Sequence, residues 1–211
     1  MTTVAIVLVV LVAAALAVTP LVLRRLRTRR LRSRFGPEYD RAVRGHKGDT
    51  AAAERELGER VALHRGLDLK RLPQPDRAEA EDELRRLQVL FVDDPLRAAA
   101  DTERLLQSVL DRAGYPQQGR IQALSVDHAD LLTAYRGAHS TLDQARTATA
   151  GTEDLRTALL AVRTLTRAVL DRDPGRPGPA GKGRASAGTS PAPAAQRPAD
   201  GVARTPVPGH G

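Results

Sequence analysis

The feature that most constrains this chain is an apolar run, Val4–Leu23, twenty residues broken only by Thr19 and Pro20, followed at once by "RRLRTRRLRSR" at 24–34. Twenty helical residues at about 1.5 Å each span roughly 30 Å, the hydrocarbon thickness of a bilayer. The run therefore predicts a transmembrane helix over residues 1–23, with Pro20 near its end kinking it locally at most. A cleaved signal peptide is the rival reading, since Ala15-Leu16-Ala17 offers a small-x-small site and export would follow. Two features oppose it: "MTT" supplies no basic n-region, and the arginines follow the apolar stretch instead of preceding it. Positive charge past an apolar segment holds that side in the cytoplasm, so the expected protein is single-pass in the plasma membrane with a cytoplasmic C-terminal domain.

The seven arginines Arg24, Arg25, Arg27, Arg29, Arg30, Arg32 and Arg34 have three candidate roles. Nucleic-acid binding would want aromatic stacking partners or a groove-reading fold, and no aromatic residue is interleaved before Phe35. A membrane-surface role needs only anionic headgroups, at about 1 kcal/mol per basic side chain near the surface. A topology stop needs still less and is compatible with the second role. Charge bookkeeping favours these two. Residues 24–34 hold seven of the net eight positive charges and 172–211 a net four, which leaves 35–171 at −3 with 20 basic and 23 acidic side chains. An acidic domain behind a basic collar argues against nucleic acid as the partner. Leu23, Leu26, Leu31 and Phe35 thread the run at helical spacing, so the helix is expected to continue to residue 34, with Gly36 ending it and Pro37 opening the next.

All five aromatic residues lie between 35 and 135, whereas 172–211 lacks Leu, Ile and every aromatic and carries eight of fourteen prolines and eight of seventeen glycines. Only the middle region, 35–171, can build a core; the tail is expected to be disordered. The middle reads as all-α, a small bundle of about five helices, because no stretch alternates with period two. A short helix covers Glu38–Arg44. Asp49 is an N-cap for a helix that looks amphipathic and exposed, with only Leu57 and Val61 on its apolar face. After "LDLKRLPQPD", Leu84, Leu87, Leu90 and Phe91 mark a helix ended by Asp93-Asp94-Pro95. Asp94 caps the next, which carries Leu105, Leu106, Val109 and Leu110 to a terminal Gly114. Residues 118–148 break near Ser125, where Ser125 or Asp127 can cap a helix bearing Leu131, Leu132, Tyr135 and Leu142. A last helix, capped at Thr152, has the stripe Leu155, Leu159, Val162, Leu165 and Val169.

Chemistry is sparse. The sequence contains no cysteine, which excludes thiolate nucleophiles and thiolate-ligated metals. It holds no glycine-rich phosphate loop and no HExxH or EF-hand pattern, so no cofactor or metal is expected. Ser125, Asp127 and His128 have the residue types of a hydrolytic triad, but triads are assembled by spatial convergence with an oxyanion hole, which nothing here signals. Spacings of seven and eleven place His128, Tyr135 and His139 on one helical face, with the histidines about 16 Å apart, too far for one metal ion. A groove around Tyr115, Asp127, His128, Tyr135 and His139 is the place an enzyme or small-ligand binder would use.

The blocks "RFGPEYDRAV" (34–43), "LQVLFVDDP" (87–95), "DRAGYP" (111–116), "LSVDH" (124–128) and "YRGAH" (135–139) resemble, in this order, a family of small bacterial membrane-anchored or secreted helical proteins common in actinobacteria. Abundant Ala, Arg, Leu, Asp and Gly with scarce Lys fit such a high-GC source. The resemblance covers 34 to about 170 and implies membrane association and a helical domain, and it carries no catalytic residues across. Two positions depart from the pattern: Leu84 stands where the family has Trp, and Ala129 follows Val126-Asp127-His128 where the family has Pro. The expectation is a non-enzymatic, membrane-anchored helical scaffold that meets a protein partner.

Overall fold

The protein is described by a computed structural model, which covers Thr19, residues 22–147 and residues 150–172. The apolar run lies almost wholly outside these residues, as does the Pro/Gly-rich tail from 173 on. No helix among the described residues is long and apolar enough to cross a membrane.

Those residues form eight helices and no strand: α1 (residues 22–35), α2 (Pro37–Gly45), α3 (Thr50–Arg65), α4 (Gln74–Asp93), α5 (Pro95–Arg112), α6 (Arg120–Asp127), α7 (Leu132–Ala145) and α8 (Thr152–Leu170). The all-α class is as expected, with more and shorter helices than the five read from periodicity. Helix α5 packs on α4 and α8, and α8 on α7, making a four-helix layer. Its main core gathers Leu106, Val109 and Leu110 of α5, Leu124 of α6, Leu132 and Tyr135 of α7, and Val162, Leu165 and Val169 of α8. A smaller cluster closes the far end, where Leu142, Leu155 and Leu159 meet Ala98 and Ala99. The third core is separate: Phe35, Tyr39, Ala42, Ala53 and Leu57 pack with Val126 and Ala129, so α1–α3 lean on the end of α6.

Several elements start and stop for the reasons their residues suggest. The Asp49 carboxylate accepts from the amides of Ala51 and Ala52 at 2.9 and 3.0 Å, and that of Asp94 from Arg97 at 3.0 Å with Pro95 at the first helical position. Gly36 takes a positive φ of 46° between α1 and α2, the joint expected there. The stripe of α8 is buried along its whole length. Its N-cap is Gly151, one residue before the expected Thr152, and its amide donates to Asp154 at 3.1 Å.

Two expectations fail. Helix α3 is not an exposed surface helix: Leu57 is fully buried, because α2 and the last turn of α1 cover the face that two apolar residues alone made look thin. The break between α6 and α7 falls at 128–131, not at Ser125, and neither Ser125 nor Asp127 caps α7, whose N-cap is Leu131 without a side-chain bond. Asp127 is the last residue of α6, with its carboxylate engaged elsewhere. His128 therefore lies off α7 and shares no helical face with Tyr135 and His139.

The connector between α3 and α4 crosses the end of α5, pinned by the Lys70 amide to the Ala113 carbonyl at 3.0 Å. Gly114 has φ of 88°, and a Cβ there would stand 2.5 Å from the Asp68 carbonyl oxygen. Gly114→Ala combines left-handed strain with a backbone collision, and is expected to destabilise the protein by about 2–4 kcal/mol in urea unfolding.

Candidate functional site

The arginine run is helical throughout, its side chains point all round α1, and the fold divides them. Positions 24, 27, 28, 31 and 35 recur at helical spacing and turn toward α3. Leu31 packs against the Phe35 core, the Thr28 hydroxyl donates to Glu54 Oε1 at 2.6 Å, and Arg27 Nη2 reaches the Glu54 carbonyl at 3.5 Å. Arg32 pairs with Asp40 at 3.1 Å and lies over the Tyr39 ring. Arg34 is half-buried, donates to the Val126 carbonyl at 3.4 Å, and has its pKa lowered by burial against the pull of Asp127. Arg24, Arg25, Arg29 and Arg30 are exposed and form no ion pair among the described residues, beside exposed Val22, Leu23 and Leu26. Of the seven arginines expected at the membrane surface, Arg27, Arg32 and Arg34 thus make contacts within the fold.

The five residues expected to share a groove fall into two places. Tyr115, Asp127 and His128 lie where α3, α6 and the end of α8 meet. One oxygen of Asp127, Oδ2, accepts from the Tyr115 hydroxyl at 2.8 Å and stands 2.8 Å from both His64 Nε2 and Arg172 Nε. The Arg172 guanidinium also covers the Tyr115 ring, 5.9 Å from its centre. Burial alone would raise the Asp127 pKa, but the His64 bond and charge, with Arg172, hold it below the ordinary carboxylate range. Tyr115 is pushed well above the phenol range, by burial first and then by the Asp127 charge. His128 is buried, its Nε2 without a hydrogen-bond partner, and its pKa is lowered by that burial.

This cluster ties α3, α6 and the exit from α8 to one carboxylate. The Ser125 hydroxyl donates to the Gln122 carbonyl at 2.6 Å and accepts from Arg60 at 3.4 Å, so no Ser–His–Asp relay forms. His64 and Arg172 carry no local signal that sequence reading could use, being 63 and 45 residues from Asp127.

Tyr135 and His139 stand apart, lining a cleft of about 870 Å³ with Glu103, Gln107, Arg120 and Asp143. The Tyr135 hydroxyl donates to Glu103 Oε1 at 3.0 Å and accepts from Gln107 at 3.1 Å, with the His139 ring stacked beside it at 6.4 Å. Burial and the neighbouring Glu103 raise the Tyr135 pKa. Glu103 Oε2 is buried without a hydrogen-bond partner. The two cations of the cleft are already engaged: Arg120 with Gln107 and Asp111, Arg136 bidentate with the buried Glu38. Among the described residues no three His, Asp or Glu side chains converge to hold a metal ion.

Comparison with protein-family models found no match to this sequence, and comparisons with curated proteins and with solved structures likewise found none.

The shifted groups predict an acid-sensitive fold. His128, with its native pKa lowered, contributes stability in full above the ordinary histidine value near 6.5 and loses it as pH falls through the native one. Asp127 does the same lower down, between the ordinary carboxylate range and its depressed native value. Urea midpoints across pH 7 to 3 should show both limbs: His128→Gln flattens the upper one and leaves the lower. Asp127→Asn leaves His64 and Arg172 facing a neutral amide and costs about 3–5 kcal/mol at pH 7.

Proposed function

We propose that this chain is a single-pass membrane protein whose helical domain is a non-catalytic interaction module held against the cytoplasmic face of the bilayer. It is best placed with the actinobacterial membrane-anchored proteins whose signature blocks it resembles. The observation that carries the reading is the continuity of α1. The helix runs from residue 22, the end of the apolar run, to Phe35, fully buried in the α2–α3 core, so the domain meets the apolar segment through helix and not through a flexible linker.

A helix rises about 1.5 Å per residue, so α1 is about 20 Å long, and the Debye length at physiological salt is about 8 Å. On a helix leaving the bilayer, Arg24, Arg25 and Arg27 sit within that length of the headgroups and Arg29 and Arg30 near its limit. Arg32 and Arg34 lie beyond it, and both are engaged by the domain, while Arg27, within reach of the headgroups, also touches α3. Such a division suits a collar that is membrane-facing at one end and structural at the other. The exposed Val89, Val92 and Leu96 at the α4–α5 corner supply apolar surface for a protein partner.

Protease accessibility of a C-terminal tag checks the topology. The tag is expected to be protected in intact protoplasts, cleaved in inverted vesicles, and retained in the membrane pellet after carbonate extraction. Cleavage in protoplasts, or recovery in the soluble fraction, would overturn the reading.

A second reading, small-ligand binding in the Tyr135 cleft, is favoured by its volume and by the orphaned Glu103 oxygen, which calls for a donor. A bound cation there would protect α5 and α7 in hydrogen exchange, and Glu103→Gln would abolish that protection.

A further inference from the structure

The membrane-proximal end of α1 does not stand free of the domain. Between it and the first turns of α3 runs a groove of about 440 Å³ lined by Leu23, Arg24, Arg27, Ala51, Glu54 and Arg55. Three cations converge on it from two helices, and Arg55 lies 31 residues from Arg24 along the chain. Arg24 and Arg55 are exposed and form no ion pair among the described residues. Arg27 lies across α3 at Gly58, where a Cβ would stand 3.2 Å from its Nη2, so the glycine leaves room for the guanidinium. The lining carboxylate, Glu54, is buried and already accepts from Thr28 at 2.6 Å and Tyr39 at 3.1 Å. Asp49, beside Arg55, is spent on the amides of Ala51 and Ala52. The groove therefore presents a surplus of guanidinium donors, with Leu23 and exposed Val22 on the side from which the apolar run arrives.

We propose that this groove is a binding site for the phosphate of an anionic phospholipid, its guanidinium groups gripping the headgroup while the acyl chains lie along Val22 and Leu23. Guanidinium forks suit phosphate oxygens, and a zwitterionic headgroup would bring its own cation against three arginines. The inference rests on the membrane-anchored reading and deepens it: a lipid clasped between α1 and α3 fixes the domain's orientation on the bilayer, where a diffuse collar only attracts it.

The full chain in neutral detergent, titrated with dioctanoyl phosphatidylglycerol, tests the site by native mass spectrometry and by hydrogen exchange in α1 and α3. Dioctanoyl phosphatidylcholine and inorganic phosphate serve as comparison ligands. Arg24→Gln with Arg55→Gln removes two groove cations. Arg25→Gln with Arg29→Gln removes the same charge from a face of α1 turned away from the groove. Each charge-assisted bond lost costs enough that the groove pair is expected to weaken phosphatidylglycerol binding at least about tenfold, and the control pair by less than about threefold. Arg55→Lys, which keeps the charge and loses the fork, should fall between and leaves the fold untouched.

Equal losses from the two pairs would assign the affinity to overall charge and overturn the proposal. So would inorganic phosphate competing as well as the lipid, or no binding at all. The anchoring reading fails separately, on the topology test, because the detergent titration reads the groove wherever the protein resides in the cell.

Discussion

A single carboxylate oxygen holds the two halves of this molecule in register. Asp127 Oδ2 receives the Tyr115 hydroxyl and lies within 2.8 Å of His64 and Arg172, so the end of α3, the turn after α5, the end of α6 and the exit from α8 meet at one atom. A buried carboxylate is costly unless it is paired and hydrogen-bonded, and here the partners come from elements belonging to different cores. Apolar packing is tolerant of sliding; a charge with three directional partners is not. The Phe35 core could be packed on the α5–α8 layer at several angles, and the Asp127 cluster, with the Glu38–Arg136 pair, selects one.

The same logic ties together five short stretches that are scattered along the sequence. The Glu38 carboxylate of "RFGPEYDRAV" is gripped by Arg136 of "YRGAH", and Tyr115 of "DRAGYP" donates to Asp127 of "LSVDH". "LQVLFVDDP" ends in the Asp94 cap that separates α4 from α5. Four of the five blocks thus pair with one another across the fold, and the fifth sets a helix boundary. Polar residues far apart in the sequence thus meet as pairs in the fold. Ala129 is buried in the Phe35 core, in one cluster with Val126 and Tyr39.

What could be read from the sequence followed what is local. Helix caps at Asp49 and Asp94, the joint at Gly36 and the stripe of α8 depend on residues within a turn or two, and the structure has them all. The misreadings share a cause in non-local partners. Asp127 has the residue type of an N-cap and lies before a helix, but its carboxylate is claimed by groups 12, 45 and 63 residues away, so the break moves to Leu131. Helix α3 looked exposed because its own apolar content is small, whereas its burial is decided by Phe35 and Tyr39 arriving from outside it. The five-residue groove divides because His128, lying off α7, shares no face with Tyr135 and His139 and stays with Tyr115 and Asp127, and nothing local in the sequence links Glu103 to Tyr135.

The arginine run shows how one helix divides identical residues between the fold and solvent. An arginine is always charged, so each must end beside an anion, a carbonyl dipole or water. Helical geometry sorts the seven by direction as well as by height: those directed at α3 find Glu54 and Phe35's neighbours, and those past the first three turns find Asp40 and Val126. Arg25, Arg29 and Arg30, exposed to solvent, have no such recourse. Were the run only an electrostatic collar, the sequence order of its arginines would be immaterial and the domain could hang from a linker. A helix that is apolar at one end and buried at the other transmits orientation, and rotation of α1 by even one residue, about 100°, would turn Phe35 out of its core. The orientation of α1 relative to the rest of the domain is therefore set by the same side chains that stabilise the fold.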